Sequence, residues 1–267
     1  MKPLEMICLI KPVPDPKQWS KLTLDPETML LRRSGISAVI NPLDRHAIEE
    51  AVALKETAGG RVRVATMAPP DAEDQLIEAL AMGCDEAFLL TDPAFAGAGS
   101  LATARCLSAA IRKLGMPDLI LCGGYSLDGS TSQVGPQVAE LLGIPDLTHV
   151  VEMSLSDGLI RARCKIDEGL STWQAELPVL VTLAAEANTP RLASMVGVRR
   201  ASGRRIVRWG AADLALSPDE VGLRGSPTQM LNVFTAPMSR KGEILRGSPD
   251  EMAAALLRRL SLKRKAH

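Results

Sequence analysis

Residues 118–143 read DLILCGGYSLDGSTSQVGPQVAELLG, an apolar strand, a polar loop and an amphipathic helix in immediate succession. Residues 119–122 form a short buried strand, and the helix opens near Gln133. Between them the loop offers hydroxyls from Ser126, Ser130, Thr131 and Ser132. A helix start carries N–H groups without an internal partner and a partial positive charge, so it suits a phosphate. Small residues let a ligand come close to the backbone. The stretch therefore implies a nucleotide held by its phosphates at the carboxyl end of a strand. Spacing alone admits an ordinary turn and helix cap as well. The run is neither a Walker A loop nor a GxGxxG fingerprint.

Strands and helices alternate on the amino-terminal side of this stretch. Residues 6–10 are an apolar strand leading into KPVPDPKQ, and the pieces LTLD and MLLRR within 17–40 suggest a hairpin. In Asn41-Pro42-Leu43-Asp44, Pro42 fixes the backbone and Asp44 is placed to cap a helix over 45–57. That helix has apolar residues at 47, 48, 51, 52 and 54 and ends at Gly59-Gly60. RVRVATM and DEAFLLTD read as strands, DAEDQLIEALAMG and SLATARCLSAAIRKLG as helices. Pro136 has to lie in the first turn of its helix. Beyond Gly143 come strands without helices: THVVEMSLS, LIRARCKID, STWQAEL and PVLVTLA. The pattern predicts an α/β fold, a doubly wound and mostly parallel sheet covered on both faces, with the later strands extending it antiparallel. After Ala187 the chain turns rich in arginine and small residues. Residues 1–187 are expected to form a nucleotide-binding α/β domain and residues 188–267 an extended arm. The arm ends in an amphipathic helix with apolar residues at 252, 253, 256, 257 and 260. Ordering such an arm costs about 1–2 kcal/mol per residue, so a partner surface is its natural mate.

The 31 basic and 31 acidic residues cancel, which argues against a nucleic-acid binder working by bulk electrostatics. The basic tail, Arg258, Arg259, Lys263, Arg264 and Lys265, reads as a solvated terminus. No apolar run is long enough for a membrane span, and the first residues lack a signal-peptide pattern. The five cysteines are odd in number and contain no CxxC, as expected of reduced thiols in a cytoplasmic protein without a metal site. The three isolated histidines give no ligand pattern, and no Ser/His/Asp set or carboxylate pair points to catalysis. The one tyrosine, Tyr125, lies inside the polar loop.

In order along the chain stand KPVPDP (11–16), NPLDRHAIEEAVALKE (41–56), EALAMGCDEAFLL (78–90), residues 118–143 and NTPRLASM (188–195). This succession resembles the beta subunit of electron transfer flavoprotein over nearly the full length. The resemblance implies a doubly wound fold of the adenine nucleotide alpha hydrolase-like kind, with a carboxyl-terminal arm that embraces an alpha subunit. It implies a bound nucleotide: a structural AMP in most members, FAD in electron-bifurcating ones, with a second FAD carried mainly by the alpha subunit. The site carried over is Leu9, Ile10 and Lys11 at the first strand's end, and Asn41, Pro42, Leu43 and Asp44 near the adenine and ribose. Met67 follows the second strand, Cys122 and Gly123 end the strand before the loop, and Asp128, Gly129, Ser130, Thr131, Ser132, Gln133, Val134, Gly135 and Pro136 form the phosphate loop. The run DGSTSQVGP and GLRGSPTQM at 222–230 resemble the bifurcating branch, although Ser130 stands where an aspartate is common. FAD is therefore expected here, with AMP the alternative.

The same resemblance makes residues 188–200 a recognition loop for a flavin-dependent dehydrogenase. Met195 stands for a usual leucine as the apolar plug, Leu192 for a usual tyrosine and Gly197 for a usual asparagine; Arg199 and Arg200 follow. The expected role is an electron-transfer subunit, inert alone. It would pass electrons between NADH or a dehydrogenase and an acceptor such as ferredoxin or flavodoxin. The alternatives are a non-bifurcating carrier with AMP serving acyl-CoA-type dehydrogenases and, further off, an adenine-nucleotide-binding sensor. An ATP pyrophosphatase is argued against by KPVPDP, where such enzymes carry an SGGxDS-type loop.

Overall fold

The computed structural model describes residues 3–21, 23–24, 31–32, 35–228 and 242–264. Its elements run β1 (Leu4–Leu9), β2 (Pro12–Pro14), β3 (Thr23–Leu24), β4 (Leu31–Arg32), β5 (Ala38–Ile40), α1 (Pro42–Ala58), β6 (Gly60–Met67), α2 (Glu73–Met82) and β7 (Glu86–Leu90). They continue with α3 (Ser100–Leu114), β8 (Leu119–Gly123), α4 (Val134–Leu142), β9 (Asp146–Ser156), β10 (Leu159–Ile166), β11 (Gly169–Glu176), β12 (Val179–Leu183), α5 (Met195–Ala201), β13 (Ile206–Trp209) and α6 (Pro249–Arg264). The chain divides into two units, Met1–Met230 and Leu231–His267.

The first unit is built on a nine-stranded sheet in the order β11-β10-β9-β12-β8-β1-β6-β7-β13. From β1 the chain moves out through β6 and β7, then returns to lay β8 on the other side of β1. All these pairings are parallel, which fits the expected doubly wound α/β fold. The direction of winding reverses between β1 and β8. In such sheets a crevice opens outside the carboxyl ends of the strands at that point.

The antiparallel strands are β9, β10 and β11, a meander with alternating burial along β10. Contrary to the expected antiparallel extension, β12 enters between β8 and β9 and runs parallel to both. Its residues VLVTL are all buried, as an interior parallel strand requires. Residues 195–209, beyond the compositional change at Ala187, supply a helix against α2 and an edge strand paired in parallel with β7.

Period-2 alternation sends neighbouring side chains of each strand to opposite faces. Met6, Cys8, Val62, Val64, Leu119 and Leu121 pack under Ala47, Ile48 and Val52 of α1 and Leu76 of α2. Ile7, Leu9, Ala65 and Ile120 pack under Leu107 and Ile111 of α3 and Val138 of α4. The strand pairs β2–β5 and β3–β4 lie in sequence between β1 and α1, both antiparallel. The β2–β5 ribbon returns the chain so that the Asn41 N–H donates to the Lys11 carbonyl at 2.9 Å. In the second unit, α6 opens on Ser248, whose N–H and hydroxyl both donate to Glu251 Oε2, at 2.8 and 2.9 Å. No helix among the described residues is long and apolar enough to cross a membrane.

Candidate functional site

The helix α1 starts at Pro42, with Asn41 in the cap position and no side-chain capping bond. Asp44, expected as the cap, is instead inside the first turn and buried. Its carboxylate reaches across to two strand ends. Oδ2 accepts the Lys11 N–H at 2.7 Å and Oδ1 accepts the Gly123 N–H at 2.9 Å. One side chain thus ties β1 to β8 at the point where the winding reverses. Gly123 is required there, because a Cβ would lie 2.5 Å from Asp44 Oδ1 and 2.6 Å from Leu43 Cβ. Burial pushes the Asp44 carboxyl up to about 7, against the hydrogen bonds from Lys11, Asn41 and Gly123 and the Lys11 charge. The Cys122 thiol beside it is raised by burial and then by the Asp44 charge, so it is an inert core group.

Asn41 is also buried, and its carboxamide spans the next loop. Nδ2 donates to the Tyr125 carbonyl at 2.9 Å, and Oδ1 accepts the Leu127 N–H at 3.2 Å. The loop then closes on itself, with Ser130 N–H donating to the Ser126 carbonyl at 2.8 Å. Asp128 accepts from its neighbour Gly129 N–H at 2.8 Å and pairs with Lys11 Nζ at 2.7 Å. Lys11 Nζ also reaches Ser126 Oγ at 3.3 Å. Ser130 and Ser132 have φ values of 48° and 54°, left-handed conformations that cost a residue with a Cβ about 1–3 kcal/mol each. Gln133 follows in the right-handed region. Such alternation turns successive N–H groups to one side and forms an anion-binding concavity.

The first bond of the α4 ladder runs from Gln137 N–H to Gln133 O at 3.0 Å. The N–H groups of Val134 and Gly135 precede that ladder, and Pro136 has none. Gly135 lets α4 approach β8 and β12, since a Cβ there would lie 2.8 Å from Thr182 Cγ2 and 3.1 Å from Cys122 Sγ. Gly129 differs: a Cβ would meet only ordinary contacts, at 3.4 Å or more, so protein packing does not demand it. The donors, the lysine and the open glycine fit the phosphates of a nucleotide.

The expected nucleotide residues thus gather along the carboxyl edge of the sheet. Leu9 and Ile10 offer backbone only, their side chains being buried in opposite cores. Pro42 and the buried Leu43 belong to the first turn of α1, and Met67 ends β6 beside β1. Thr131 is exposed, and Gln133 Oε1 accepts the Ser100 hydroxyl at 2.8 Å.

Leu192, Met195, Arg199 and Arg200 form a separate group. Three residues outside the expected set hold their segment down. Asn188 Nδ2 donates to the His46 carbonyl at 3.1 Å and to Glu50 at 2.9 Å. Arg191 forks onto Glu49 (2.8 Å) and Glu56 (2.6 Å) of α1. Burial works to raise the Glu49 carboxyl, but the Arg191 hydrogen bonds and charge hold it below its ordinary value. Ser194 caps α5 by accepting the Gly197 N–H at 3.0 Å. Gly197 lies so close to α2 that a Cβ would sit 2.3 Å from the Ala81 carbonyl, which accounts for glycine at this position. Held this way, Leu192 and Met195 are 84% and 86% exposed, and Val196 and Val198 are exposed beside them. Met195 is not packed back on its own domain. Only the arginine in PRLASM hinted at these anchors in the sequence, and its carboxylate partners lie more than 130 residues away.

Residues 28–214 match the family model of the electron transfer flavoprotein domain. The chain is 41% identical to an electron transfer flavoprotein subunit beta from Thermoanaerobacterium thermosaccharolyticum, over 97% of this chain and 98% of that one. It is 37% identical to the caffeyl-CoA reductase-Etf complex subunit CarD of Acetobacterium woodii, over 97% and 99% of the two chains. It is 39% identical to protein FixA of Azorhizobium caulinodans, over 89% and 86%.

Proposed function

The chain belongs to the beta-subunit branch of the electron transfer flavoprotein family, and on that premise we propose that its carboxyl-edge cradle binds FAD in an electron-bifurcating heterodimer. Electron transfer is the family's work, and the flavin supplies the redox chemistry when bound. The proposed complex includes an alpha subunit, which carries most of a second FAD, and works in the cytoplasm. It takes electrons from NADH or a dehydrogenase and delivers them to a partner acceptor, ferredoxin or flavodoxin among them. The names of two relatives, a caffeyl-CoA reductase-Etf complex subunit and an acryloyl-CoA reductase electron transfer subunit, support a flavin-dependent partner acting on CoA thioesters.

The observation that carries the nucleotide reading is the double bracket of Asn41 and Asp44. These two side chains hold the ends of β1 and β8 and the loop between β8 and α4 at the reversal point of the sheet. In the proposed role Lys11 and the N–H groups at the start of α4 receive the phosphates. The loop's left-handed residues aim those donors, and the α1 start borders the adenine and ribose. No proton transfer or bond-making step is assigned to this chain's side chains. Its contribution is binding, orientation and exclusion of water.

Co-expression with the alpha subunit, followed by nucleotide extraction and chromatography, tests the reading. Two FAD per heterodimer are expected. One FAD and one AMP would return the chain to the non-bifurcating role. An assembly of this chain with itself, indifferent to the alpha subunit, would remove the carrier role altogether.

A further inference from the structure

Strand β9 runs parallel to β12 and antiparallel to β10, and it is irregular against both. Its pairing passes from Val181↔Leu147 to Leu183↔Val150 on one side and from Arg163↔Glu152 to Cys164↔Val150 on the other, so β9 holds an extra residue in each register. Inside the first shift stands His149, with a φ of 53°. Left-handed backbone is uncommon for a residue with a Cβ, and a bulge re-aims the side chain that it carries.

Two contacts show where this bulge is aimed. The His149 ring lies against Gly124, where a Cβ would be 3.5 Å from its Cδ2 and 3.7 Å from its Nε2. Gly124 opens the loop between β8 and α4, and its N–H donates to the Leu183 carbonyl at 2.9 Å. The His149 N–H donates to a side chain, the hydroxyl of Thr182 on β12, at 3.0 Å. Thr182 is buried, and with Oγ1 held there its Cγ2 meets Gly135 of α4, where a Cβ would lie 2.8 Å away. Gly124 and Gly135 bound the loop that carries Asp128, the partner of Lys11, and the left-handed Ser130 and Ser132. One residue of β9 thus touches the first end of the loop through its ring and the second through Thr182. Asn41 holds the same loop from the start of α1, so it is gripped from both sides of β8. Curvature of the sheet alone calls for neither a ring on Gly124 nor a side-chain acceptor for the bulged N–H.

We propose that His149, acting through Gly124 and through Thr182, is a positioning residue that sets the span between the two ends of this loop and so the aim of its donors at a nucleotide's phosphate. The ring works by its shape, as a spacer. This role rests on the nucleotide reading of the carboxyl edge and adds to it a residue from the far side of β8. A left-handed residue kept for its position costs stability and contributes to binding.

AMP serves as the probe, because it carries the adenosine phosphate that AMP and FAD share. Equilibrium dialysis of AMP with the nucleotide-depleted alpha–beta heterodimer gives the dissociation constant, and urea unfolding of the same protein gives the midpoint. His149→Asn removes the ring but keeps the left-handed backbone, which asparagine accepts. It should bind AMP ~10-fold more weakly with the urea midpoint unchanged. His149→Phe keeps a flat ring and disfavours a positive φ, so it should lower the midpoint and leave AMP affinity close to wild type. An unchanged affinity in His149→Asn overturns the inference. So does an affinity that falls with the midpoint across the two variants, since a merely structural residue gives that. Lys11→Ala separates the two levels. If it weakens AMP binding and His149→Asn does not, the positioning role falls and the nucleotide site stands. If wild type and Lys11→Ala bind AMP alike, or wild type does not bind it, the nucleotide reading falls and the role of His149 with it.

Discussion

Asp44 sits in the first turn of α1 with its carboxylate closed in by β1 and β8 and two backbone N–H groups aimed at it. Desolvation dominates and raises its pKa from 3.8 to about 7. A folded-state value above the unfolded one means that folding takes up a proton. The stabilisation is fully present below about pH 4 and is lost as pH rises through about 7, with an upper bound of order 4 kcal/mol. Urea denaturation of the heterodimer should therefore show stability declining from about pH 5 to about pH 8, and Asp44→Asn should flatten that decline. The variant should also lower the plateau by ~1–3 kcal/mol, because an amide opposes one of the two N–H groups with its own donor. Parallel pH curves for the two proteins would remove Asp44 from this role. At Gly123 a methyl group has no room against Asp44 and Leu43, so Gly123→Ala should cost ~1–3 kcal/mol and reduce nucleotide recovered per heterodimer. Neither effect is legible in the sequence. Asn41-Pro42-Leu43-Asp44 reads as turn plus cap, since both partners of the carboxylate are backbone groups of strands far along the chain. That the residue is expected at a nucleotide site comes through the resemblance alone.

Helix α1 connects two places with different tasks. Its first turn brackets the loop between β8 and α4, and its outer face carries Glu49, Glu50 and Glu56, on which Asn188 and Arg191 rest. Because those bonds hold residues 188–194 on α1, docking through this segment, as the resemblance implies it, would be spared part of the cost of ordering it. Arg191→Ala should weaken partner association without loss of nucleotide, while Arg191→Lys, which keeps charge but not the fork, should fall between. In the docking role that the resemblance implies, Met195→Ala removes the apolar plug itself. Burial of a methionine contributes ~1.5–3 kcal/mol, so dissociation of the dehydrogenase should quicken roughly 10- to 100-fold. Surface plasmon resonance on the heterodimer reads both, and an unchanged off-rate for Met195→Ala would take the plug assignment away. At this scale the sequence was informative about helices and poor about residues 188–200. Periodicity marked α1, α2 and α3, whereas α5 is short and lacks a regular stripe because Gly197 is chosen for contact with α2.

The whole sheet explains why the proposed nucleotide site falls where it does. Winding outward from β1 through β6 and β7, and then back to β8, reverses direction beside β1, where such sheets open a crevice, and the segments held by Asn41 and Asp44 converge at that point. The strand–helix alternation announced that half of the sheet. The place of β12 was hidden, because an apolar run gives its burial but not its neighbours. The second unit follows another logic. Helix α6 carries Leu256, Leu257 and Leu260 exposed. In the proposed heterodimer these leucines dock on the alpha subunit. Replacing Leu256 and Leu260 together by serine should then weaken the heterodimer by ~3 kcal/mol, about 100-fold in dissociation constant. Serine also has a lower helix propensity, so a paired Leu256→Ala/Leu260→Ala variant separates lost contact from lost helix. Sedimentation velocity across a dilution series measures both. If the serine and alanine pairs dissociate at the wild-type concentration, the arm makes no energetic contact through this face, and the subunits must be joined by the first unit alone.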